Sequence, residues 1–231
     1  MQVNMAKHTQ PSDTMTPRMA NLRLWDADVV VRSVTEGSLK FAFLLLGDAA
    51  ERKTKLHEYE HVLFELSALK RSARVEEILA VMPADEDSQS LRELVLSPEH
   101  AEQIRAAYPR EVRRTIEQRW SFGEICAALK RTGTPGLSHL GLMMYNFGMS
   151  SHVAHQDIVG VGMAWDRNGR SVERREAVEL AHGARMISDV TVMSWIRAHF
   201  LYQRCGLNID RLKPFMARAA RLEGKTRRAH E

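Results

Sequence analysis

The chain has 231 residues, 44% hydrophobic and 27% charged, which is enough apolar material for a sizeable core and excludes disorder throughout. Its two cysteines, Cys126 and Cys205, are far apart, so neither a disulfide framework nor a cysteine zinc site is supported. The net charge of +4 belongs to one end: residues 211–231 carry Arg211, Lys213, Arg218, Arg221, Lys225, Arg227 and Arg228 against Glu223 and Glu231, while the rest is within one charge of neutral.

Residues 1–20 hold Pro11, Pro17 and four methionines without periodicity and read as a flexible lead. A helical bundle domain is expected over 21–206, with a short helix and basic tail over 207–231. Apolar residues recur at helical spacing from Leu22 to Leu46, and Gly47-Asp48 suits the end of one helix and the start of another. Residues 49–82 read as one long, charge-laced helix, with Leu56, Leu63, Leu66, Leu69, Val75, Ile78 and Leu79 on its inner side and Pro83 as its stop. Asp85-Glu86-Asp87-Ser88 reads as a surface loop. Ser97-Pro98-Glu99 is a helix start, with serine as cap and proline in the first turn. Pro109 should bend or break that helix, and Ser121-Phe122-Gly123-Glu124 has capping-box spacing for a helix to about Arg131.

Thr132 to Gly136 is a break, after which Ser138 is placed to cap a helix leading into Ser150-Ser151-His152-Val153-Ala154-His155-Gln156-Asp157. The glycines and Asp166-Arg167-Asn168-Gly169 suggest a short loop or hairpin near 158–169. A long helix from about Val172 to Cys205 ends at Gly206, a natural C-cap. Strand-like alternation is nearly absent, so the fold class is all-α: an irregular multi-helix bundle. With no apolar run long enough to span a bilayer and no signal-peptide pattern, no membrane association is expected, and a cytoplasmic location is.

Three constellations carry chemistry. His57-Glu58-Tyr59-Glu60-His61 matches HExxH, the spacing that sets two imidazoles and a general base around zinc. However, a lysine- and arginine-rich turn precedes it and no third-ligand extension follows, so no metal or other cofactor is expected. Arg32 and Glu36 share a helix face within an apolar stretch, either as an intrahelical ion pair or as an internal polar site with Arg32 holding an anion. In the third, Ser151 and His155 are four residues apart near a helix C-terminus, where the helix dipole favours imidazolium. Tyr145 precedes them on that helix, and His152 and Asp157 are additional binding candidates. A core histidine that is merely hydrogen-bonded is the competing account.

Arg32-Ser33-x-x-Glu36, the Trp120-Ser121-Phe122-Gly123-Glu124-Ile125 helix entry, and Tyr145 followed by Ser151-x-x-x-His155 together resemble an uncharacterised, mostly bacterial all-helical family, the domain of unknown function 5677 type. The resemblance covers roughly residues 20–205 and implies that Arg32, Glu36, Ser151 and His155 are family-type polar positions that meet in space. It supplies no reaction. Two functions stay open: a non-enzymatic binding or interaction module, or a metal-independent ribonuclease by analogy with HEPN nucleases. In the latter, Arg32 would stabilise an oxyanion while His155 moves the proton. A zinc hydrolase through His57, Glu58 and His61 is a further alternative. The basic tail is a candidate nucleic-acid contact, and a homo-oligomer is compatible with the sequence.

Overall fold

A computed structural model of the chain describes residues 15–82, 86–134, 137, 140–155, 158–159, 161–162, 169–215 and 217–218. Among the described residues there is no strand, and the protein is an all-α multi-helix bundle. In chain order the helices are α1 (Met15–Leu45), α2 (Ala49–His57), a π-helical turn (Glu58–Val62), α3 (Leu63–Leu79), α4 (Glu86–Arg92), α5 (Pro98–Ala107), α6 (Arg110–Arg119), α7 (Phe122–Arg131), α8 (Leu140–His155) and α9 (Val172–Arg204). A 3-10 turn, Ile209–Leu212, follows α9. The chain forms two compact units: Met1–Gly37, His139–Trp195 and Asp210–Glu231 in the first, and Ser38–Ser138 with Ile196–Ile209 in the second.

In the second unit, local chemistry sets the helix ends. Gly47 ends α1 at φ +85°, a conformation open to glycine, and a Cβ there would also strike the Glu51 carboxylate. Asp48 then caps α2 by accepting from the Glu51 N–H at 2.9 Å, Ser97 caps α5 ahead of Pro98, and Ser121 caps α7 through the Glu124 N–H. The expected single helix over 49–82 is interrupted by the π turn, which resets its inward register. Lys55, Glu58, Val62, Leu66, Leu69, Ser72 and Val75 are buried, whereas Leu56 and Ile78, expected inside, are 46% and 40% exposed. The Ser72 hydroxyl is used twice, accepting from the Leu96 N–H and donating to Glu76, which ties α3 to the chain before α5.

Two further boundaries differ from the sequence expectation. α1 begins at Met15, inside the stretch read as a flexible lead. The acidic segment read as a loop is helical from Glu86, as a sequence rich in acidic residues suits the start of a helix; Asp85, and Pro83, expected as the stop of the preceding helix, lie outside the described residues. Ser88 is buried there.

The first unit contains α8, α1 as far as Gly37 and α9 as far as Trp195. Leu140 and Met193 are fully buried in it, and the polar Asp28 and His182 are buried as well. Residues 158–159 and 161–162 are helical; Ser138, expected as a cap, and 160 and 163–168 of the expected loop lie outside the described residues. α9 ends one residue earlier than expected. Gly206, at φ +65°, closes it with Leu207 N–H donating to Tyr202 O and Gly206 N–H to Gln203 O, a Schellman ending.

Candidate functional site

The π turn places Glu58, the first glutamate of the HExxH match, in the core of the second unit. Its carboxylate accepts from the Trp120 indole N–H at 2.9 Å and from the Arg119 guanidinium at 2.5 Å. Trp120 is held in turn by Phe43, edge-on at 5.2 Å between centroids, and by Tyr59 at 5.3 Å. A buried carboxylate persists when charge and hydrogen bonds compensate its lost hydration, and here both oxygens are engaged. His57 and His61 are exposed, with ring centroids 5.2 Å apart. Their shared glutamate is thus turned away from them and serves packing, unlike the water-activating base of a zinc helix.

Next to this knot lies a cleft of about 810 Å³ lined by residues of α2, α6, α7 and the end of α1. Lys55, a buried residue at 4% exposure, also lines it, its ammonium donating to the Leu46 carbonyl at 3.2 Å and paired with Glu51 at 2.7 Å. It also rests 4.4 Å from the centre of the Phe43 ring, a favourable cation–π position. Lys55 thereby caps the C-terminal end of α1, where orphan carbonyls attract a cation.

The lining charges sort into pairs. Lys55 is matched by Glu51 and Arg119 by Glu58. Glu124 and Arg131 also line the cleft; both are exposed, and neither side chain has a partner among the described residues. They lie seven residues apart on one face of α7, a rise of about 10 Å. The cleft therefore presents one open anion and one open cation. Cys126, on α7, is fully buried, and burial pushes its thiol up to about 11, against an opposing effect of Lys130. It is protonated at neutral pH and a poor nucleophile.

No family model, curated protein or solved structure matches this chain.

The residues singled out in the sequence belong to the first unit. Arg32 is half-buried, with its guanidinium 4.9 Å from the centroid of Phe147 on α8, so α1 and α8 meet there. Glu36, Ser151 and His152 are half-buried and Tyr145 is 66% exposed. His155 is the last residue of α8, as expected for a histidine at a helix end, but its side chain and Asp157 lie outside the described residues.

A polar group that sequence reading missed occupies this unit. His182 Nε2 lies 2.8 Å from Asp28 Oδ2, and Arg185 reaches Asp28 Oδ1 at 3.5 Å. Both members of the closer pair are under 10% exposed. The only sequence signal was spacing: Asp28 is one turn before Arg32, and His182 and Arg185 are one turn apart on α9.

Proposed function

We propose that the chain is a non-enzymatic binding module whose cleft takes a ligand bearing both a carboxylate and an ammonium group, such as a short peptide. The observation that carries this is the open pair of opposite charges, Glu124 and Arg131, along one wall of the cleft. Paired Lys55–Glu51 and Arg119–Glu58 leave no net excess of either sign for a simple anion to exploit. A ligand with separated charges gains from both open groups, and triglycine, about 10 Å long when extended, matches the rise from Glu124 to Arg131. The cleft volume is also within the range of small-ligand sites.

The engaged Glu58 and protonated Cys126 support binding over turnover. The helical-family resemblance adds Arg32, Glu36, Ser151 and His155 as a separate polar position in the first unit, on which the cleft does not depend.

Calorimetric titration tests the proposal with triglycine, its N-acetylated form and its C-terminal amide. Each capped peptide should bind about 2–5-fold more weakly, the size of one exposed charge pair. Glu124→Gln should lose the discrimination against acetylation and Arg131→Gln that against amidation. No binding of triglycine, or equal binding of all three peptides, would refute the assignment.

A further inference from the structure

Along α9, Ala177, Leu180, Ala184, Ile187, Thr191 and Ser194 follow one another at alternating steps of three and four residues, the spacing of a coiled-coil seam. This stripe is distinct from the buried one, which holds His182, Met186, Met193 and Ile196. Leu180 and Ile187 are 67% and 71% exposed. The two hydroxyls do not oppose burial, since Thr191 donates to the Ile187 carbonyl at 2.8 Å and Ser194 to the Val190 carbonyl at 2.9 Å.

We propose that this face docks against the same face of a second copy of the chain, with the two α9 helices antiparallel about a two-fold axis near residues 185 and 186. In that register Ala184 meets the partner's Ile187, Thr191 meets the partner's Leu180 and Ala177 meets the partner's Ser194. Bulky Leu180 and Ile187 thus each face a smaller residue. The same register sets Glu176 beside the partner's Arg197, at flanking positions of the seam, and does so twice by symmetry. Both residues are exposed, and among the described residues Arg197 otherwise makes only a distant approach, 5.9 Å, to the Phe41 ring. A parallel pair would instead stack Leu180 on Leu180 and Ile187 on Ile187 and leave Glu176 without a cation in the flanking position. Charge complementarity therefore selects both the occupant and its direction. This inference is independent of the cleft.

Sedimentation equilibrium of the full chain over a range of concentrations tests it. The chain should show a monomer–dimer equilibrium. Ile187→Glu, at an exposed position where folding is retained by circular dichroism, should weaken dimerisation about 100-fold by burying an unpaired charge. Glu176→Arg and Arg197→Glu alone should each weaken it about fivefold, and the two together should restore it. A monomer at all concentrations, a dimer indifferent to Ile187→Glu, or a charge swap that fails to restore association would overturn the proposal.

Discussion

Replacing Glu58 separates a packing role from a catalytic one. In Glu58→Leu the apolar side chain occupies comparable space, so little cavity cost arises, but the Trp120 indole N–H loses its acceptor in a site only 6% exposed. Stranding such a donor costs about 1–3 kcal/mol. Arg119, whose side chain is 42% exposed, turns to water, and its lost pairing adds at most about 1 kcal/mol after solvent screening. The total, about 1–4 kcal/mol, corresponds to a fall in melting temperature of about 2–16 °C for a chain of this length. Glu58→Gln keeps an acceptor for the indole and should lose only about 1 kcal/mol. Trp120→Phe combined with Glu58→Leu removes donor and acceptor together, so the pair should couple favourably in a double-mutant cycle. Urea unfolding followed by circular dichroism reads the parent, the three single variants Glu58→Leu, Glu58→Gln and Trp120→Phe, and the double variant. If Glu58→Leu unfolds at the parent's midpoint, or Glu58→Gln is as damaging as Glu58→Leu, the indole–carboxylate bond is not what holds Glu58 in place.

Other expectations are simpler to check. Thiol titration of the native protein at pH 8 should modify the exposed Cys205 rapidly and Cys126 only after denaturation; fast labelling of both would contradict the burial of Cys126. Burial lowers the pKa of His199 below its ordinary 6.5, so the unfolded state takes up this proton first as pH falls. Its contribution to stability should be complete above about pH 6.5 and decline on acidification through the folded pKa; a histidine NMR titration with its midpoint above 6.5 would reverse the sign. Asp28→Ala leaves buried His182 without its carboxylate and should cost about 3 kcal/mol, which a parent-like denaturation midpoint would disprove. Elemental analysis should find no stoichiometric zinc, and a full equivalent lost on chelation would restore the His57–His61 metal reading.

Where structure depends on neighbouring residues, the sequence was readable. Asp48, Ser97 and Ser121 cap helices because a side-chain oxygen satisfies an N–H two or three residues on, and Gly206 closes α9 by its own backbone freedom. The reading failed where distant residues decide. Periodicity put Leu56 inside and left Lys55 and Glu58 on a charged surface, whereas Trp120 and Arg119, about 60 residues away, supply the partners that let Glu58 enter the core. The resulting π turn cannot be seen in hydrophobic spacing. The cleft was hidden for a similar reason: Glu124 and Arg131 look like ordinary surface charges of a capped helix until α2 and α6 are placed opposite them. Asp28 and His182 escaped notice because more than 150 residues separate them.

The most direct measurement of the central claim is an amide NMR titration of the full chain with triglycine, using assigned resonances. Shifts should concentrate at Glu124, Arg131, Thr115 and Gln118, with the Trp120 indole N–H responding through Arg119 and Glu58. Saturable shifts centred on the first unit, around Arg32 and Ser151, with the α7 amides unmoved, would contradict it.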